Sequence, residues 1–211
     1  MPREIEIAGD GRCVNATLNA APTSRALVIF AHGSGSSRHS PRNIYVADIL
    51  NARGIATLLV DLLTQDEEEL DRSTASLRFD IALLARRVEL ATEWAQREPA
   101  LQSLPRGYFG ASTGAAAALL AASARTDVAA VVSRGGRPDL AGAALRNVSS
   151  PTLLIVGGND PVVLRLNEQA QREIHAVCEL AVIPGATHLF EEPGALEAVA
   201  AKAAEWFDRY L

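Results

Sequence analysis

Apolar runs and amphipathic stretches alternate along this chain, with polar loops between them. Residues 26–31, 55–60, 128–132 and 152–156 are apolar almost throughout, the pattern of strands buried on both faces. Residues 178–183 predict a further strand, and the short aromatic run Gly107-Tyr108-Phe109 predicts another. Near the start, residues 3–8 and 13–19 flank Gly9-Asp10-Gly11, a turn signal, and predict a β-hairpin. Helical periodicity fills the intervals. It covers residues 41–53 (ending at Gly54), 75–97 (ending before Pro99), 115–124, 162–175 and 193–210, with a short helix over 139–146. Residues 64–74 form an acidic, polar segment that reads as a solvated loop or helix face. Strands alternating with helices predict an α/β fold, with a mostly parallel sheet of about eight strands and helices on both faces. No linker, repeat or low-complexity block interrupts it, so residues 1–211 read as one domain. The segment 133–150 is too short to hold a cap domain.

The polar loops fall after the carboxyl ends of the predicted strands, where open α/β sheets place their ligands. One of them carries Gly110-Ala111-Ser112-Thr113-Gly114. A G-x-S-x-G pentapeptide between a strand and a helix marks a sharp turn that exposes the serine at the sheet edge. A serine hydroxyl is a poor nucleophile at neutral pH. It needs a base, usually histidine, and a carboxylate that holds the histidine in the right tautomer. The chain supplies both further on, at two more strand ends: Asp160 in Gly-Gly-Asn-Asp-Pro and His188 in Thr-His-Leu-Phe. Asp160 before Pro161 also reads as a helix N-cap, and His188 alone would read as a surface histidine. Neither alternative explains the arrival of Ser112, Asp160 and His188 in that order on three strand ends. An oxyanion hole is expected from the backbone N–H groups of Thr113 and of Ser34, the latter in the loop His32-Gly33-Ser34-Gly35. His32 reads as a residue that shapes this loop rather than as a base.

Together the His-Gly-Ser-Gly loop, the Gly-Ala-Ser-Thr-Gly turn, Gly-Asn-Asp-Pro and Thr-His-Leu-Phe resemble the α/β-hydrolase fold over essentially the whole chain. The capless size is similar to the dienelactone hydrolase-like and small-carboxylesterase branch. Segments 61–64, 77–80 and 133–138 resemble members of that branch, some of them attached to phosphoribosyltransferase domains; no such domain is expected here. The best-studied dienelactone hydrolases carry a cysteine where this chain has Ser112, so the resemblance implies fold and triad rather than dienelactone as substrate. It implies acyl transfer from a small ester to water, without a metal or organic cofactor. A thioesterase, a lactonase or a small peptidase fits the same residues, and a non-catalytic binding module of the same fold is the reading from a different class.

The remaining properties narrow the class. Hydrophobic residues make up 48% and charged residues 21% of 211, which excludes a disordered chain. A net charge of −5 gives no reason to expect nucleic acid or an anionic membrane as partner. No signal peptide is expected from residues 1–10 and no run reaches the ~20 apolar residues of a membrane span, so a soluble, cytoplasmic protein is expected. Cys13 and Cys178 sit in strand-like runs and read as buried thiols in a reducing compartment, with a disulfide between them left open. Arg38 and Arg134 lie in loops on the ligand edge. They either anchor an acidic substrate group or pair with carboxylates such as Asp80 or Asp139. The sequence leaves the oligomeric state open.

Overall fold

The computed structural model describes residues 2–9 and 11–211; Asp10 of the expected turn lies outside them. The elements follow as β1 (Arg3–Gly9), β2 (Arg12–Asn19), β3 (Ala26–Ala31), α1 (Pro41–Ala52), β4 (Ile55–Val60), α2 (Gln65–Thr74), α3 (Ile81–Arg97), β5 (Arg106–Ala111), α4 (Thr113–Ser123), β6 (Val128–Arg134), β7 (Thr152–Gly157), α5 (Pro161–Glu173), β8 (Cys178–Ile183) and α6 (Ala195–Tyr210). A 3₁₀ segment, Pro138–Asn147, replaces the short helix after β6 and is broken at Gly142.

All eight strands form one sheet in the order β1-β2-β4-β3-β5-β6-β7-β8. β1 and β2 are antiparallel to each other, and β2 is antiparallel to β4; the other neighbours are parallel. The two-residue period of the strands sorts their side chains. Leu27, Ile29 and Ala31 face the layer of α3 and α4, while Ala26, Val28 and Phe30 face α1 and α6. Both faces are covered, which is why the central strands are buried and apolar at nearly every position.

The acidic segment departs from the expected solvated face. Thr64 and Glu67 form a capping box that starts α2, and the acids of its first turn suit the helix dipole. Two of the acids then turn inward. Glu67 pairs with buried Arg87 of α3 at 2.9 Å. Asp71 accepts the N–H groups of Leu77 and Arg78 at 2.8 and 3.0 Å and pairs with the Arg78 guanidinium at 2.7 Å. Ala75 takes a left-handed conformation (φ 53°) and ends α2. The helix expected over 75–97 therefore begins only at Ile81, capped by Asp80, whose carboxylate accepts the Leu83 N–H at 3.0 Å. Apolar spacing runs across this junction because Leu77, between the two helices, packs on the same layer as α3; the break is made by cap chemistry.

The cysteines also differ from expectation. Cys13 is exposed on β2 and Cys178 half-buried on β8, and both are free. They stand near opposite edges of the sheet, so no disulfide joins them. Burial pushes the Cys178 thiol up to about 12, which keeps it protonated. No helix among the described residues is long and apolar enough to cross a membrane.

Candidate active site

β5, fully buried, ends in a turn at Ser112 with φ 52° and ψ −121°. A side chain is rarely held at positive φ, so the neighbours must impose it. They do so through three hydrogen bonds. The Ser112 N–H donates to the Arg134 carbonyl at 3.2 Å, and the Ser112 carbonyl accepts from Ala115 and Arg137 at 3.1 Å each. The glycines of the pentapeptide are required by close approach. A Cβ at Gly110 would lie 2.7 Å from the Ala115 nitrogen, and one at Gly114 would collide with the carbonyl oxygens of Ala31 and His32. Without them α4 could not start directly above β5 and against the loop after β3. Alanines 115–118, all buried, extend that close packing along α4.

Asp160 and His188 stand at the same carboxyl edge, after β7 and β8. His188 Nδ1 and Asp160 Oδ2 are 2.7 Å apart, with the carboxylate mostly buried and the imidazole more open. The other carboxylate oxygen of Asp160 accepts the Val163 N–H at 3.3 Å, with Pro161 in the first turn of α5. Cap and histidine partner, alternatives in the sequence, are thus both realised by one side chain. The Ser112 hydroxyl is not hydrogen-bonded to His188 in this structure.

The loop after β3 is tied down at each end. His32 is buried; its Nδ1–H donates to the Gly33 carbonyl at 2.9 Å and its Nε2 accepts the Leu62 N–H at 3.0 Å. These bonds define the neutral tautomer, and burial holds the imidazole below its ordinary value of 6.5, against an opposing pull from Asp61. Gly33 packs on Ser112, 3.0 Å from its Cβ to the position a glycine Cβ would occupy. The Ser34 hydroxyl meets that of Thr113 at 3.0 Å, so the two residues expected to supply N–H donors are joined side chain to side chain. Nothing in the local sequence announces these links; a polar residue in a β3 loop has too many candidate partners.

A titration effect follows from His32. With its folded pKa depressed, the unfolded chain binds the extra proton first. Stability is complete above the free value of 6.5 and falls as pH drops from there toward the lowered folded value. The slope contributed by one such group reaches about 1.4 kcal/mol per pH unit. Urea unfolding at pH 7.5 and pH 5.5 should show this loss in the wild type. In His32→Gln, whose amide oxygen can still accept from Leu62, the loss should be smaller by that amount. An equal loss in both proteins would show that His32 titrates normally.

The two arginines part ways. The Arg38 backbone N–H donates to Asp61 at 2.7 Å, its Nε donates to Glu4 at 3.1 Å, and its Nη1 pairs with Asp61. Its guanidinium is thus spent on the chain's own carboxylates, different ones from Asp80 and Asp139. Arg137, not Arg134, is the partner of Asp139. Asp61, at the carboxyl end of β4, was the legible signal: a charge closing an apolar strand on the ligand edge. Arg134 is buried at the end of β6 without a carboxylate partner among the described residues.

A cavity of about 280 Å³ opens beside this edge. The loop of residues 32–36 and Thr113 form one side, Leu62, Leu63 and Leu84 are among its apolar walls, and α2 lies over it with Glu68 and Arg72.

Comparison with known proteins agrees with this architecture. Residues 14–211 match the dienelactone hydrolase family. The crystal structure of a dienelactone hydrolase from Anabaena variabilis superimposes with a TM-score of 0.96 at 54% identity, covering 100% of this chain and 99% of that one. Est1E from Butyrivibrio proteoclasticus shares the fold, with a TM-score of 0.82 at 18% identity over 98% of each chain. A Mycobacterium tuberculosis protein provisionally named a phosphoribosyl transferase is 56% identical over 209 residues, 99% of this chain but 46% of its own length. The same holds in strains CDC 1551 and H37Rv, so the chain spans about half the length of the curated relatives it matches. With its eight-stranded sheet and its Ser112 turn, the chain belongs to the dienelactone hydrolase family and has the α/β-hydrolase fold.

Proposed function

We propose that this chain is a serine hydrolase that cleaves a small carboxylic ester through an acyl-enzyme, with Ser112 as nucleophile, His188 as base and Asp160 as its partner. The observation that carries the reading is the convergence of Ser112, strained at φ 52°, with the 2.7 Å His188–Asp160 contact on one sheet edge. Strain held at Ser112 by three backbone hydrogen bonds is hard to explain as packing alone.

In the reaction, Ser112 Oγ bonds the acyl carbon as His188 Nε2 takes its proton. Asp160, on the Nδ1 side, stabilises the imidazolium. The Thr113 N–H, at the N-terminus of α4, and the Ser34 N–H receive the developing oxyanion. His188 returns the proton to the leaving alkoxide and then activates a water that frees the acid. The missing Ser112–His188 hydrogen bond is compatible with this, because such bonds commonly tighten only around bound substrate. The acyl group enters the leucine-floored cavity beside Thr113, and the chain needs no cofactor for the steps described. Soluble, cytoplasmic action on a small molecule is the setting we infer. The transferase name of the longer relatives describes proteins of more than twice this length, and we assign no transfer of a phosphoribosyl group to the part shared with this chain.

A fluorophosphonate probe tests the reading directly. Labelling of the folded protein should be stoichiometric and map to Ser112, and short-chain p-nitrophenyl esters should be turned over. A folded protein that neither labels nor turns over any ester, thioester or lactone would instead be a binding module of this fold.

A further inference from the structure

Asn167 lies in the middle of α5, fully buried. Its Nδ2 donates twice, to the Gly136 carbonyl at 2.9 Å and to the Val163 carbonyl at 2.8 Å. Two carbonyl acceptors fix which end of the amide is the nitrogen. Its Oδ1 is left buried with no partner among the described residues. A buried acceptor without a donor is costly, and an apolar side chain of this size would avoid the cost. Packing therefore does not account for an asparagine here; its two donated bonds do.

Those bonds close a circuit around the site. Asp160 faces His188 with one oxygen and accepts the Val163 N–H with the other. Asn167 then joins the carbonyl of the same Val163 to that of Gly136. Gly136 belongs to the segment 134–137 at the end of β6. At one end of this segment the Arg134 carbonyl accepts the Ser112 N–H. At the other the Arg137 N–H donates to the Ser112 carbonyl. These are two of the three bonds that hold Ser112 at φ 52°. Gly135, between them, lies against His188: a Cβ there would be 3.2 Å from the His188 carbonyl oxygen and 3.6 Å from Cε1. A Cβ at Gly136 would collide with Ser133 Oγ and stand 2.7 Å from Ala115 Cβ, so the segment also fits closely against the first turn of α4. It bears on both nucleophile and base, and Asn167 ties it to the helix that Asp160 caps.

We propose that Asn167 is a positioning residue for the reaction: by holding the Gly136 carbonyl it fixes the segment 134–137 between Ser112 and His188, and so sets the separation across which the proton passes. This rests on the serine hydrolase reading above. Asn167 touches no reacting atom. Ser112 Oγ and His188 Nε2 must come within hydrogen-bond reach around bound substrate, and the segment that bears on both decides how closely they meet. Without the Gly136 bond the segment has slack, and a misplacement of about 1 Å costs about 10²-fold in rate. Substrate binding is separate. The cavity that takes the acyl group is walled by the loop after β3, by Leu62, Leu63 and Leu84 and by α2, not by α5 or the segment 134–137.

The test uses Asn167→Thr. A threonine hydroxyl in a helix donates to the carbonyl four residues back, so the Val163 bond is kept and the Gly136 bond is lost. Asn167→Leu removes both at similar volume. Ile174→Val, at the buried residue that closes α5, loosens the same helix without touching the circuit. On p-nitrophenyl butyrate, Asn167→Thr and Asn167→Leu should each lose about 10²-fold in kcat with KM unchanged. Acylation and deacylation both pass a proton through His188, so both slow together. The rate constant for fluorophosphonate labelling, referred to the folded fraction, should fall in step. Ile174→Val should lower Tm and keep the wild-type kcat. A wild-type kcat in either Asn167 variant, a loss carried by KM, or an equal loss in Ile174→Val overturns the proposal. If neither Asn167 variant folds, Asn167 serves the fold rather than the site, and the proposal fails. A wild type that neither labels nor turns over ester is a different result: it removes the serine hydrolase reading, and the positioning role with it.

Discussion

Ser112→Ala is expected to lower kcat on p-nitrophenyl butyrate by about 10⁶-fold and to abolish fluorophosphonate labelling. The size follows from what the substitution leaves. The His188–Asp160 contact and the loop of residues 32–36 do not depend on the Ser112 hydroxyl, which donates to no group among the described residues. What vanishes is the atom that forms the acyl-enzyme, so one step again has to be made by water alone. Residual catalysis of about 10³–10⁴ over water remains reachable through the oxyanion donors. Stability should barely change. Alanine keeps the Cβ that meets Gly33, and the three backbone hydrogen bonds that impose φ 52° are untouched. Turnover within tenfold of the wild type, in a preparation free of other hydrolases, would remove Ser112 from the reaction.

Much of this architecture can be read from the chain because its signals are local and redundant. A strand buried on both faces is apolar at nearly every position, so 26–31 and 55–60 were legible without any knowledge of their neighbours, and both are strands with those bounds. The pentapeptide is legible because its two glycines answer steric collisions that any strand–turn–helix of this kind creates. The junction after α2 was not legible. A left-handed Ala75 and an Asp80 cap interrupt a pattern whose apolar spacing continues across them, so periodicity merged the segment with α3. The inward turn of Glu67 and Asp71 was equally hidden. Arg87 comes from α3 and Arg78 from the turn between α2 and α3, so both pairings depend on the fold around α2, whereas composition records only an acidic run.

The arginines show the same limit. Arg38 and Arg134 looked alike, two basic residues in loops on one edge. The sequence cannot say which guanidinium finds a carboxylate, because that depends on side-chain direction across strands. β4 places Asp61 where Arg38 can reach it. β6 turns Arg134 into the layer of α1, where the nearby charge is Arg42. One residue is thereby a brace, and the other a buried guanidinium without a carboxylate partner among the described residues.

Asp160→Asn is expected to cost about 10⁴ in kcat while leaving the fold intact. The two oxygens of Asp160 have separate duties: one accepts the Val163 N–H at the start of α5, the other faces His188 Nδ1 at 2.7 Å. Asparagine caps a helix as well as aspartate does. Its amide oxygen can keep the Val163 bond, with Pro161 still fixing the first turn. The amide nitrogen then faces Nδ1 as a donor. His188 must accept there, which moves its own proton to Nε2, the atom that has to receive the Ser112 proton. The carboxylate that would stabilise the imidazolium is also gone. Thermal unfolding should therefore stay close to the wild type as kcat and the rate of fluorophosphonate labelling collapse together. Asp160→Ala makes the contrast, losing activity and also about 1 kcal/mol from the uncapped helix. An Asn variant that retains activity within tenfold would mean that Asp160 serves α5 alone, and that the 2.7 Å contact with His188 is structural.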